Sequence, residues 1–373
     1  MCETEETDTV SKDYISLRQL LALLFAALLS PMIQVLPRTA VEIGGKAGWL
    51  SALFALPVVL LLCWAYQAAP GRLGGGAGMA EGLELAFGRW PARVLVLLYL
   101  IWGVLLLGWN ARWCAYRALS INYRNAPMPL FILGLLALTL WLGHKSLSAF
   151  CRAGEIFALA LGVALAVALA LAALRTAWNN VGPIWAEDLP GAVGGAVPVL
   201  GLAGYGVLGA FLAGQVKRRE VDRGRLLRWG ALWCALLAAF QLITIGCFGP
   251  GLIQKMETPF FMLLRGVGVP GAFERVESLI MSLWLLADLA FLGLILFACR
   301  AMVRYLSRGE ERPWVPVLLV AAAGALALFT LNNLFSLSWV MERLIPAGNL
   351  ILGIGVPLLT GIVIAWKKRR EKV

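Results

Sequence analysis

The chain has 373 residues, of which 61% are hydrophobic and only 14% charged. That balance excludes an ordinary soluble domain and defines an integral membrane protein. The formal net charge of +11 does not indicate a nucleic-acid partner, because Lys and Arg gather at the ends of apolar segments, where they set orientation in a bilayer.

Residues 1–14 form an acidic tail, with Glu3, Glu5, Glu6 and Asp8 near its start. It carries neither a basic n-region nor a small-residue cleavage site, so no signal peptide is expected and the first apolar segment inserts and stays. A helix needs about 20 apolar residues to cross the hydrocarbon core. Ten segments suit that role: 15–36, 48–69, 94–116, 127–143, 152–175, 192–214, 226–248, 276–300, 314–331 and 346–366. They are Leu- and Ala-rich, without the alternation of a barrel, so the bundle is helical. The longest connections, 70–93, 176–191 and 249–275, separate no second module, and residues 15–366 read as one membrane domain followed by the basic tail 367–373.

The first segment is interrupted at Ser30-Pro31 and the sixth at Gly201-Leu202-Ala203-Gly204-Tyr205-Gly206. Non-helical backbone at membrane depth is tolerated only where it is buried or lines a cavity. Dividing ten helices into two blocks of five puts both interruptions in the first helix of a block, as in an inverted repeat with its ligand between the breaks. Backbone freed around Ser30 to Ile33 accepts from an ammonium group, and half-helix N-termini face a carboxylate. Gly201, Gly204 and Gly206 allow a small ligand to approach closely, with Tyr205 as a cap. The competing interpretation is that Pro and Gly only kink or pack these helices.

In the third segment Tyr99, Trp102, Leu106, Trp109 and Trp113 form a stripe, followed by Asn110 and Arg112. Tyr99 and Trp102, nearest the middle, either wall a ligand pocket or pack. In the seventh segment Gln241 and Thr244 bond a neighbouring helix. Asp288 is the only acidic residue near the middle of a helix and shares a face with Glu277, Met281 and Trp284. An intramembrane carboxylate is costly and marks a functional site by default. It binds an ammonium group or a coupling proton, or else pairs with a neighbouring helix.

The single His144 lies at a helix end beside Lys145, leaving no histidine for a metal site or a catalytic triad within the membrane. No enzyme and no cofactor are expected. The run Gly71-Arg72-Leu73-Gly74-Gly75-Gly76-Ala77-Gly78 lacks the Lys-Ser/Thr of a phosphate loop. The seven cysteines, Cys2, Cys63, Cys114, Cys151, Cys234, Cys247 and Cys299, occur singly and read as small hydrophobes. With both termini cytoplasmic, the inner flanks hold roughly two thirds of the Lys and Arg residues, as the positive-inside rule requires. Lys217-Arg218-Arg219, the Arg300, Arg304, Arg308, Arg312 series and Lys367-Lys368-Arg369-Arg370 contribute most, and they meet anionic lipid head groups.

Short motifs in order along the chain resemble the spore germination permeases, the B subunits of nutrient germinant receptors in the amino acid/polyamine/organocation (APC) transporter superfamily. They are Ile15-Ser16-Leu17-Arg18-Gln19-Leu20, Leu36-Pro37, Ala47-Gly48-Trp49-Leu50-Ser51, Gly143-His144-Lys145-Ser146 with Arg152 and Glu155, Gly182-Pro183-Ile184, Thr258-Pro259-Phe260-Phe261, Phe273-Glu274-Arg275-Val276-Glu277-Ser278 and Trp284. The resemblance spans about Ile15 to Trp366. It implies an all-α, LeuT/APC-like fold of ten helices in a five-plus-five inverted repeat with helices one and six broken.

The resemblance also implies an amino-acid-like germinant bound at Ser30, Pro31 and Met32 and at Gly201, Gly204, Tyr205 and Gly206. Residence in the spore inner membrane, a larger membrane subunit and a lipoprotein partner follow from it too. The chain departs from many members of the superfamily in carrying Ser30-Pro31 where they have glycine. Three functions are compatible: a germinant sensor, a secondary transporter of amino acids or organic cations with proton coupling through Asp288, and a water or ion conduction subunit.

Overall fold

The computed structural model describes residues 14–73, 76–121, 127–217, 223–256, 258–266, 276–310 and 312–370. Most of the acidic tail, Gly74-Gly75, Arg218-Arg219 and Phe273-Glu274-Arg275 lie outside the described residues. So do the side chains of Glu277 and Met281.

All ten expected segments are helical. They are α1 (Leu17–Gly44), α2 (Ser51–Tyr66), α3 (Arg89–Ile121), α4 (Met128–Gly143), α5 (Leu147–Ala173), α6a (Ala196–Ala203) with α6b (Gly206–Leu212), α7 (Arg223–Phe248), α8 (Val276–Leu306), α9 (Val315–Phe329) and α10 (Leu334–Arg370). Among the described residues, 7 helical runs are long and apolar enough to cross a membrane. The first of these, Leu17–Pro70, contains both α1 and α2, while α4 and α9 are shorter apolar helices.

Local sequence sets the helix ends. Ser16 accepts from the Gln19 amide at 3.1 Å while the Gln19 side chain accepts from the Ser16 amide at 3.0 Å, a capping box that starts α1. The helix stops where Gly45 takes φ +53°, a conformation glycine adopts without steric cost. Contrary to the expected break at Ser30-Pro31, α1 stays helical through both Pro31 and Pro37. Each proline removes one amide donor, but the surrounding helices bury this stretch and hold it in register.

The sixth span does break. α6a gives way to α6b across Gly204-Tyr205, where the amides of Tyr205, Val207 and Leu208 bond three residues back instead of four. The interruption is a tight 3₁₀ turn. A second irregularity, not expected from the sequence, lies in α10, where Val340–Leu344 and Asn349–Gly355 adopt the wider π-helical repeat.

Helix pairing follows the two-fold relation of an inverted repeat. α1 packs on α6a, α2 on α7, α3 on α8 and α4 on α9, each helix against its counterpart in the other half. Within the halves, α1 packs on α5 as α6a packs on α10. The core runs along α1, α3, α6 and α8. Outside the spans, Ile15 is pinned beside Val216, its amide donating to the Gln215 carbonyl at 2.9 Å and its carbonyl accepting from Lys217 at 3.0 Å.

Candidate functional site

Three helices meet at a buried polar constellation near the middle of the bundle. On α1, the Ser30 hydroxyl donates to Asp288 Oδ1 of α8 at 2.6 Å and accepts from Gln34 Nε2 at 3.1 Å. The other carboxylate oxygen, Oδ2, accepts from Nη2 of Arg117 on α3. Ser30, Asp288 and Arg117 are all buried. A carboxylate so placed persists only if paired and hydrogen-bonded, and both of its oxygens are engaged here.

This arrangement changes the role expected for Asp288. Its carboxylate already faces a guanidinium, so it is not an open site for an ammonium group or a coupling proton. The group with spare capacity is Arg117, whose Nη1 is buried without a hydrogen-bond partner. Trp284, one turn before Asp288 on α8, buries an equally unpartnered indole Nε1. Both touch Phe261: Arg117 lies over its ring at 5.6 Å, and the Trp284 ring meets it edge-on at 6.3 Å between centroids. Phe260 also packs on Trp284, at 5.0 Å. These phenylalanines belong to the short helix Pro259–Gly266, which packs among α1, α5, α7 and α8. Two unpartnered donors lying together beneath an aromatic cover have the capacity to hold an anionic group.

The other expected site residues form a second cluster around Asn349, a residue that no local sequence pattern singles out. Asn349 of α10 donates to the Gly201 carbonyl at 2.9 Å and accepts from Trp102 Nε1 at 3.2 Å. The Tyr99 hydroxyl donates to the Leu352 carbonyl, and Tyr66 donates to that of Gly353 at 3.2 Å. Tyr99 and Trp102 therefore brace the π-helical part of α10 instead of walling an open pocket.

Gly201 and Gly204 do permit close approach, but what approaches is α10. A methyl group at Gly201 would lie 2.7 Å from Pro346, and one at Gly204 would lie 2.6 Å from the Asn349 carbonyl oxygen. Gly206 faces the Tyr66 hydroxyl, at 3.5 Å from the position of a Cβ. Tyr205 is buried, edge-on to Phe291 of α8 at 4.9 Å. Pro31 and Met32 are buried in the continuous α1. The structure thus joins Ser30 to Asp288 through side chains, sets Trp284 beside them, and assigns Tyr99, Trp102, Gly201 and Gly204 to the α6–α10 contact.

Arg117 has no marker in the sequence, because it falls one residue beyond the expected third segment. Its basic charge resembled that of a flank. A helix of 33 residues is about 50 Å long, well beyond the ~30 Å hydrocarbon core, and α3 carries Arg117 inside the protein past the end of its apolar run.

A broken sixth span, a two-fold pairing of five-helix blocks and a polar centre between α1 and α8 define a membrane protein of transporter architecture. Solved structures share that fold. MhsT in complex with L-phenylalanine aligns over 95% of this chain and 89% of its own, with TM-score 0.63 and 14% identity. MHP1, a nucleobase-cation-symport-1 family transporter in a closed conformation with bromovinylhydantoin bound, aligns over 95% and 78% with TM-score 0.61 and 13% identity. A mutant of the Eremococcus coleocola manganese transporter aligns over 96% and 81% with TM-score 0.58 and 17% identity. No curated protein matches the sequence. Residues 14–333 match the family model described as spore germination protein, and the chain belongs to that family.

Proposed function

We propose that this chain is the germinant-sensing membrane subunit of a spore nutrient receptor, binding a small amino-acid-like molecule without transforming it and passing the event to partner subunits. The observation that carries the reading is the pair of unpartnered buried donors, Arg117 Nη1 and Trp284 Nε1, beside the Ser30–Asp288 contact. A ligand carboxylate takes these two donors, and Phe260 and Phe261 move aside to admit it. Binding then favours the bundle conformation in which their short helix has shifted, by as much as the ligand's affinity differs between the two states. MhsT, whose fold this chain shares, is a complex with an amino acid.

Both termini face the cytoplasm in this reading. A larger membrane subunit and a lipoprotein receive the signal, as family membership suggests. Asp288 neutralises Arg117 and fixes its fork, so no proton need travel with the ligand.

The test is the time course of labelled amino acids, first pooled and then single, associating with sealed proteoliposomes that contain the purified chain. Saturation near one ligand per chain is expected. Retention that grows far beyond that ratio and is released by lysis would make the chain a secondary transporter instead. Conductance dependent on companion subunits would make it a conduction subunit.

A further inference from the structure

A cavity of about 950 Å³ opens on the face of the bundle that carries Ile15, separate from the Arg117–Asp288 centre. Two rows of guanidiniums line it. Arg89 and Arg93 sit one turn apart at the start of α3, and Arg300 and Arg304 sit one turn apart near the end of α8, with Arg308 just beyond that end. Residues four apart on a helix share a face, so each row presents its charges to the same space. The wall also holds Glu81 and Glu84, and both are engaged: Glu81 accepts from the Gly78 amide at 2.8 Å, and Glu84 accepts from the Tyr305 hydroxyl at 2.7 Å. Five guanidiniums against two carboxylates leave a surplus of three positive charges. Arg300 donates to the Gly143 carbonyl at 2.6 Å and lies over the Phe297 ring at 5.1 Å. Among the described residues no ion pair holds Arg89, Arg93, Arg304 or Arg308. A basic residue that only sets orientation needs no cavity, whereas like charges gathered in a cleft raise the local potential and attract anions.

The backbone at Arg308 is a second, independent observation. Past the end of α8 the Gly309 amide donates to the Arg304 carbonyl at 2.8 Å and the Arg308 amide to that of Tyr305 at 3.3 Å, the paired bonds of a Schellman cap. Between them Arg308 takes φ +60°. Glycine is the usual occupant of this left-handed position, and any side chain there is strained. Here the position carries an arginine that lines the cavity. Strained backbone of this kind gathers at binding and active sites.

We infer that this cavity binds a phosphate-bearing anion, held by Arg89, Arg93, Arg304 and Arg308. A phosphoryl group carries close to two charges on three acceptor oxygens, which matches a surplus of three better than the single charge of a carboxylate does. The planar forks of arginine meet such a group bidentately. The volume is that of an ordinary ligand pocket, roughly 300–1,000 Å³. A soluble phosphate compound and a phospholipid head group both offer this chemistry, and either occupies a site distinct from the one near Arg117.

The test is the binding of labelled inorganic pyrophosphate to the full chain at low salt, in nanodiscs of zwitterionic phosphatidylcholine with and without phosphatidic acid. Saturable binding is expected in the phosphatidylcholine discs. Arg93→Gln with Arg304→Gln should weaken it by about tenfold or more, since each removes a charge-assisted contact. Lys368→Gln with Arg369→Gln removes as much charge outside the cavity and should leave binding unchanged. Phosphatidic acid that displaces pyrophosphate and copurifies with the wild type, but not with the Arg93 and Arg304 variant, identifies the head group as the occupant; pyrophosphate binding that persists beside it identifies a soluble phosphate. Arg308→Gly separates binding from folding: it should raise the unfolding midpoint of the ligand-free chain by relieving the left-handed strain, and weaken pyrophosphate binding at the same time. No saturable binding of pyrophosphate together with no retained phosphatidic acid, or an equal loss in the Lys368 and Arg369 variant, would overturn the inference.

Discussion

The equivalent helices α1 and α6, one from each half of the protein, make their buried contacts with different chemistry. α1 meets α8 through charge: Ser30 donates to Asp288, and Arg117 reaches in from α3 to complete the pair. α6 meets α10 through close packing and neutral amides: Gly201, Gly204 and Gly353 let backbones touch, and Asn349 bridges α6a and α3. Both are buried polar interfaces in the bundle, yet only the first leaves donors of Arg117 and Trp284 without partners. A fully satisfied interface serves as scaffold, and an unsatisfied one retains binding capacity.

That contrast can be broken in order of cost. Arg117→Leu leaves the Asp288 carboxylate buried and unpaired, and removing one partner of such a pair costs about 3–5 kcal/mol. Thermal unfolding in nanodiscs should show this loss, and the double variant Arg117→Leu with Asp288→Leu should recover most of it. At the other interface, Gly353→Ala would press a methyl group into the Gly204 carbonyl oxygen. Overpacking of that kind costs about 1–3 kcal/mol, whereas Gly134→Ala, with nothing within 4 Å of its Cβ, is the neutral control.

Asn349→Leu removes two hydrogen bonds to other helices. At ~0.6–1.7 kcal/mol for such bonds in a membrane protein, its unfolding midpoint should fall less than that of Arg117→Leu. Tyr99→Phe loses one bond to Leu352 and should cost ~1 kcal/mol or less. Ligand response should survive the Tyr99 change, because the α6–α10 contact supports the bundle and does not hold the ligand.

Much of this architecture is legible in the sequence. Ten apolar runs mark the ten helices, and the glycine cluster marks the break at Gly204-Tyr205. Asp288 stands out because a lone carboxylate in an apolar helix needs a partner. The partner itself is hidden: Arg117 is 171 residues away in sequence, and an arginine just past an apolar run looks like a membrane flank. Pro31 misleads in the other direction, since proline weakens a helix but tertiary packing decides whether it breaks.

The glycines of α6 signal close approach without naming what approaches, and here it is a helix that enters from the far end of the chain. Asn349 and the π-helical repeats of α10 have no marker in a local window. They arise from fitting α10 against α6a, a property of the packed pair.

The central claim is that Arg117 is the ligand-reading group of the charged interface, and Arg117→Lys isolates it. Lysine keeps a cation beside Asp288 but lacks the second fork nitrogen. The measurement is the unfolding midpoint of wild type and Arg117→Lys in nanodiscs across a panel of single amino acids. Stabilisation of the wild type by at least one of them, absent in a folded Arg117→Lys variant, is the predicted result. An undiminished response in the lysine variant would contradict the account.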